Sequence, residues 1–406
     1  MNAQKTKDVK KIINILWFMA FLVFTEMSPL FSQKQQKQII TGAERTILYK
    51  PILKNKTIAL VANQTSVVGN RHLVDTLLTL GANIKKIFCP EHGFRGNEDA
   101  GEQVKNGKDP KTGIPVISLY GKKLKPTAAD LNGIDFVIYD IQDVGVRFYT
   151  YISTLTYVME ACAEQFVTLF ILDSPNPNGF YVDGPVLEPQ FKSFVGMHPI
   201  PIVYGMTIGE LATMINEEGW LPRQLKCSIG LIHCQNYTHK SLYRLAVNPS
   251  PNLQNMRAVY LYPSLGLFEG TAINVGRGTD FPFQVFGYPK FTDTTFSYIP
   301  RSIEGVSSNP PNVNKTCFGI DLRGITEEKL IQSSQLNISY LKFAYDHFPE
   351  KEKFFNSFFE NLCGSSTLRQ QIISGISPDS IRHSWQPALT KFKELRKKYL
   401  IYEDFE

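Results

Sequence analysis

The sequence predicts an α/β fold: a Rossmann-like parallel sheet domain followed by a second, smaller α+β C-terminal domain. Three observations carry this. Apolar runs rich in β-branched and aromatic residues recur from Thr57 onward, amphipathic segments of helical period alternate with them, and Pro and Gly become dense after about Gly179. The expected strands are Ile58–Ala62, Ile84–Cys89, Pro115–Leu119, Phe136–Tyr139 and Thr168–Leu172. Runs such as FVIY and VTLFIL lack the polar alternation of a half-exposed strand, so they suit a parallel sheet covered on both faces. Between them the expected helices are His72–Leu80, closed by Gly81, Thr127–Leu131, closed by Gly133, and Tyr151–Glu164.

At 406 residues, with 43% hydrophobic and 12% aromatic content, the chain exceeds one typical core, and two domains are expected, 33–195 and 196–406. Residues 1–32 read as an export signal. Lys5, Lys7, Lys10 and Lys11 precede the apolar run Ile12–Phe24, which is short for a membrane span, and Ser28, Pro29 and Ser32 follow. The expected location is therefore the periplasm or outer envelope, with no stable membrane insertion after signal removal. An intracellular enzyme is disfavoured on the same ground. The net charge is +6, or +4 once the four lysines and two acids of the first 32 residues are set aside. Basic residues are scattered rather than gathered in a stripe, which disfavours nucleic acid as a partner but leaves room for a small anionic substrate. The six cysteines contain no CxxC and no paired Cys/His spacing, so buried free thiols are expected, with a Cys227–Cys234 disulfide as the alternative. Val306–Lys315 reads as a surface loop, and Glu350–Leu362 and Pro387–Leu400 as surface helices.

Four of the expected strands run directly into chemically capable residues. The first leads to Asn63-Gln64-Thr65, the second to Glu91, His92 and Arg95, the fourth to Asp140, Gln142, Asp143 and Arg147, and the fifth to Asp173, Asn176 and Asn178. Ligands of open α/β sheets bind outside the carboxyl ends of the strands, so these groups are expected to converge. The competing reading is that Asn and Asp after strands make turns and helix caps. The loop FCPEHGFRGNEDAGE offers three glycines for close backbone approach and places Glu91 among Phe88, Pro90 and Phe94, surroundings that suit general-acid work. Its bland counterpart is a salt-bridged Glu-Arg loop.

Glycoside hydrolysis commonly needs two carboxylates, or one carboxyl group assisted by the substrate's N-acetyl group. Candidate partners of Glu91 are Asp140, Asp143, Glu102, Asp173 and Glu160, of which Asp140 and Asp143 are the better placed. His92 is a companion that orients Glu91 or meets substrate. Arg95 and Arg147 can clamp a carboxylate or serve in structural ion pairs, and Phe94, Tyr149 and Tyr151 are candidate pocket aromatics. The chain lacks GxGxxG after the first strand, GxxxxGK[ST], GxSxG and HExxH, so no cofactor is expected, and no metal, since His92 has no second histidine nearby.

In chain order, FCPEHGFRGNEDAGE, TGIPVISLYG, DIQDVGVRFYTYISTL, LDSPNPNG, SFVGMHPIP, GMTIGELA, NPSPNL and FEGTAINVGRGTDFPFQVFGYP resemble the exo-β-N-acetylmuramidases of glycoside hydrolase family 171. The likeness covers about Asn63 to Pro289, with a looser likeness to the end. It implies release of terminal non-reducing N-acetylmuramic acid from peptidoglycan fragments, with Glu91 as the leading catalytic residue. It also implies a substrate carrying a lactyl carboxylate, for which Arg147 or Arg277 is the expected partner. Ser174 stands where many relatives have Arg, and Asn274 where Ser is usual, departures that bear on fine specificity rather than on reaction class. The alternative function is a non-catalytic muropeptide- or sugar-binding protein of the cell envelope.

Overall fold

In the computed structural model, which describes residues 37–91, 93–94, 106–292 and 294–406, seven strands form one sheet. They are β1 (Thr57–Ala62), β2 (Asn83–Cys89), β3 (Gly107–Lys108), β4 (Pro115–Ser118), β5 (Phe136–Asp140), β6 (Thr168–Leu172) and β7 (Ile229–Ile232). Their order is β3-β4-β2-β1-β5-β6-β7, and every pairing is parallel except that of the two-residue edge strand β3 with β4. The chain lays β2 and β4 on one side of β1, then returns to place β5 on the other. The carboxyl ends of β1 and β5 therefore flank the point where the strand order reverses, the usual crevice of such sheets. The five strands read from the sequence are present, with ends shifted by at most one residue.

The helices follow from local chemistry. In α1 (Leu73–Thr79), His72 accepts the Val74 N–H as the cap. In α2 (Ala128–Leu131), Thr127 and Asp130 exchange side-chain and backbone bonds in a capping box. α3 (Tyr151–Glu164) is buried along nearly its whole length, packing Tyr151, Ile152, Leu155, Val158 and Met159 into the main core. α4 (Ile208–Glu217) begins on a second capping box, Thr207 with Glu210.

The expected boundary at residue 195 falls inside the sheet layer, because Ile229–Ile232 continues the parallel sheet beyond β6. From α5 (Met256–Leu265) onward the chain builds a smaller layer. A three-stranded antiparallel sheet of β8 (Val285–Tyr288), β9 (Phe296–Tyr298) and β10 (Cys317–Asp321) is packed about by short helices. The helix expected over Glu350–Leu362 is not continuous. A turn at Lys351–Lys353 is followed by fully buried Phe354, and the Asn356 side chain accepts the Phe358 N–H, restarting the chain as Phe359–Cys363. Near the C-terminus, Gln386–Lys397 is helical as read. All six cysteines are buried, and no two of them form a disulfide. Cys227 and Cys234 bracket β7, and the Cys234 thiol donates to the Asp173 carbonyl at 3.3 Å.

Candidate functional site

A cavity of about 440 Å³ opens between the carboxyl end of the sheet and the C-terminal layer. Its sheet-side wall carries Glu91, just past β2, with Tyr120 and the Tyr149-Thr150-Tyr151 segment that begins α3. The facing wall carries Tyr262 of α5, Phe268, Glu269, Arg277 and Phe283. Ser307, Asn309 and Pro311 line it too, so the segment read as a plain surface loop contributes to the site. Among the described residues, the only acids lining this cavity are Glu91 and Glu269, and the only cation is Arg277.

Glu91 is held from two sides. The Thr150 hydroxyl donates to its Oε2 at 3.0 Å. The Tyr120 phenol is pushed up by burial, by the Glu91 charge and by its hydrogen bond to Glu91, so it stays protonated and donating. Across the cavity Arg277 donates from both Nε, at 2.9 Å, and Nη2 to the single oxygen Oε1 of Glu269. The guanidinium also lies over the Phe283 ring, 5.1 Å from its centroid. Asn274 shapes the turn that presents Arg277, donating to the Arg277 and Pro311 carbonyls and accepting the Gly276 N–H.

The aromatic segment is fixed from behind. Tyr149 and Tyr151 both donate to the Pro249 carbonyl, at 2.8 and 3.0 Å, and their rings meet edge to face. Gln64, just past β1, donates to the carbonyls of Asn248 and Pro249. The NPSPNL motif is therefore an anchor for the pocket wall.

The residues after the strands divide sharply. Glu91, Tyr149 and Arg277 line the cavity; Asp140, Asp143, Asn63, Gln142, Arg147, Asp173 and Asn176 do not. His92, Arg95 and the candidate partner Glu102 lie outside the described residues, as do residues 1–32 with their expected export signal. Asn63 Oδ1 accepts from the Thr65 N–H and hydroxyl, closing a turn. Gln142 donates to the carbonyls of Asp143 and Pro175. Asp173 accepts from Thr207, Gly209 and Tyr402 at the start of α4. Asn176 bridges the Met206 carbonyl and the Asn178 N–H. Gly145, at φ +75°, passes so close that a Cβ there would sit 2.1 Å from Asn176 Oδ1.

Arg147 departs most from expectation. It is fully buried, with its guanidinium donating to the carbonyls of Pro185 and Ile200 from Nη1 and of Leu362 and Cys363 from Nη2. Both terminal nitrogens are committed to backbone, so it is a tie between the sheet layer and the C-terminal layer rather than a clamp on substrate. Asp143 is buried, accepting from the Tyr204 phenol and the Gly145 N–H. Burial pushes its carboxyl up to about 6 despite those donors. Asp140 is pushed up to about 8 by burial alone. Glu269 was missed because it sits in a helical turn, Gly266–Gly270, distant in sequence from every strand end. The signal that could have found it is its place in the long FEGTAINVGRG motif, eight residues before Arg277.

The same division into two layers appears in comparisons with known proteins. Residues 58–257 match the family model for the exo-β-N-acetylmuramidase NamZ N-terminal region, and residues 260–402 match that for its C-terminal region. The peptidoglycan β-N-acetylmuramidase NamZ of Bacillus subtilis (strain 168) is 38% identical over 385 residues, covering 91% of this chain and 92% of that protein. Two crystal structures of DUF1343 family proteins from Bacteroides fragilis NCTC 9343 are similar in fold. One has a TM-score of 0.85 and 49% identity, the other a TM-score of 0.72 and 27% identity, and each comparison covers 90% of this chain and 99% of the other. With both family regions matched in order across an α/β sheet and its C-terminal layer, the chain belongs to the exo-β-N-acetylmuramidase NamZ family, a family of glycosidases.

Proposed function

We propose that this glycosidase removes terminal, non-reducing N-acetylmuramic acid from peptidoglycan fragments in the cell-envelope space, with Glu91 delivering the proton to the departing glycosidic oxygen. The observation that carries the reading is Glu91 at the wall of a 440 Å³ cavity, hydrogen-bonded by Thr150 and Tyr120. That volume falls in the range of roughly 300–1,000 Å³ common to small-ligand sites. Phe194, Tyr262 and Phe268 supply apolar faces of the kind a sugar ring packs against, and Arg277 supplies a positive group for a lactyl carboxylate. Export is supported by the lysine-rich start and the short apolar run of residues 1–32.

The test is release of free N-acetylmuramic acid from a muramic-acid-terminated disaccharide, followed by mass spectrometry for the wild type and for Glu91→Gln. The expected result is release by the wild type and loss in the variant, roughly 10²–10⁴-fold as for removal of a general acid. Binding without release by folded wild-type protein would overturn the glycosidase reading. Fractionation of expressing cells, with the mass of the mature N-terminus, tests export separately; an intact chain in the cytosol would overturn it.

A further inference from the structure

We propose that Glu269 is the second catalytic carboxylate of this site, the base that activates the attacking water. The inference rests on the glycosidase reading above. Among the described residues, Glu91 and Glu269 are the only acids that line the cavity, and they stand on its two walls, one beyond β2 and the other in the turn after α5. Asp140, the last residue of β5, and Asp143, just past it, are buried outside this lining.

Both carboxylates act on the same space. Apart from burial, their charges raise the Tyr120 and Tyr262 phenols, and the same two charges favour the protonated guanidinium of Arg277. The Arg277 fork closes on Oε1 of Glu269 and leaves Oε2 outside the ion pair. A carboxylate fixed at one oxygen by an arginine stacked on Phe283 has a defined orientation and one oxygen for a water.

The step balances as follows. Protonated Glu91 gives its proton to the glycosidic oxygen while the C1–O bond breaks and its electron pair passes to that oxygen. The water oxygen forms the new bond to C1, and the water's proton passes to Oε2 of Glu269. Glu91 leaves the cycle as a carboxylate and Glu269 as an acid, and exchange with solvent resets both. Attack by water on the face opposite the leaving group inverts the anomeric carbon.

The test uses Glu269→Gln and Glu269→Ala, with Glu91→Gln in parallel, on an aryl β-N-acetylmuramide, after circular dichroism confirms folding. In both Glu269 variants kcat is expected to fall roughly 10²–10⁴-fold with KM within about threefold of wild type. Added formate should restore part of the lost rate in Glu269→Ala, which a structural defect would not allow. Proton NMR of the wild-type reaction should show the α-anomer of the released sugar first. Full kcat in folded Glu269→Gln, no formate rescue, or first appearance of the β-anomer would each overturn the proposal. If wild type itself releases no sugar, the glycosidase reading fails; if wild type is active, Glu91→Gln is dead and Glu269→Gln is unaffected, only the Glu269 role fails.

Discussion

Thr150 occupies the N-cap position of α3, yet its hydroxyl makes no cap bond and instead donates to Glu91 Oε2 at 3.0 Å. A residue placed to satisfy a helix is thus spent on the acid of the site, and α3 begins without side-chain capping. Thr150→Val keeps the shape and removes only that donor. Because a hydrogen bond to a neutral group is worth about 0.5–1.5 kcal/mol and Glu91 works from its protonated form, kcat is expected to fall roughly two- to tenfold while thermal stability stays close to wild type. Steady-state kinetics beside a melting curve separate the two effects, and an unchanged kcat would remove Thr150 from the site.

Arg277 is the one cation lining the cavity among the described residues, and its Nη1 makes no hydrogen bond there. Arg277→Met is expected to raise KM about tenfold for a substrate bearing the lactyl carboxylate and much less for the analogue lacking it, since one decade is about 1.4 kcal/mol. Equal effects on the two substrates would show that Arg277 serves Glu269 alone.

Arg147→Met takes the guanidinium donor from four buried carbonyls: that of Ile200 keeps the Leu187 N–H, and those of Pro185, Leu362 and Cys363 lose their side-chain donor. The expected cost is at least about 3 kcal/mol in denaturant unfolding, at roughly 1–3 kcal/mol for each buried carbonyl left unpaired. Gly364→Ala should act on the same joint, since a Cβ there would lie 2.5 Å from Arg147 Nη2 and the backbone holds φ +68°. Stability near wild type in Arg147→Met would refute its role as a tie.

Asp140 makes stability depend on pH in a direction opposite to that of a salt-bridged acid. Its folded pKa, pushed up to about 8 by burial, lies above the ordinary 3.8 of the unfolded chain. The stability it contributes is therefore fully present below about pH 4 and is lost as pH rises through 8. Asp140→Asn should match wild type near pH 4 and melt at least about 2 °C higher near pH 9. Parallel melting curves at both values would show instead that the carboxyl is not desolvated.

Much of the fold was legible in local chemistry. FVIY and VTLFIL are too uniformly apolar for anything but a strand covered on both faces, and Thr127 with Asp130 announces the start of α2. β7 escaped notice because Ile229–Ile232 is only half-buried and sits in a region dominated by Pro and Gly. Glu91 was legible because it follows a strand at the ligand-binding edge of the sheet, and Tyr149 and Arg277 because of their motifs. Asp173, Asn176 and Arg147 looked equally capable and proved to be bonded within the protein.

Hydrophobic period and turn chemistry are local properties, so the sequence alone was enough to specify the parallel sheet and the strand ends that offer polar groups, Glu91 among them. Only the tertiary structure decided which of those groups meet. It turned Arg147 inward onto four carbonyls, buried Asp140 and Asp143, and brought Glu269 from the C-terminal layer across the cavity from Glu91. The reason is physical: a charged side chain's availability depends on what packs around it and which donors reach it, and those neighbours lie far away along the chain.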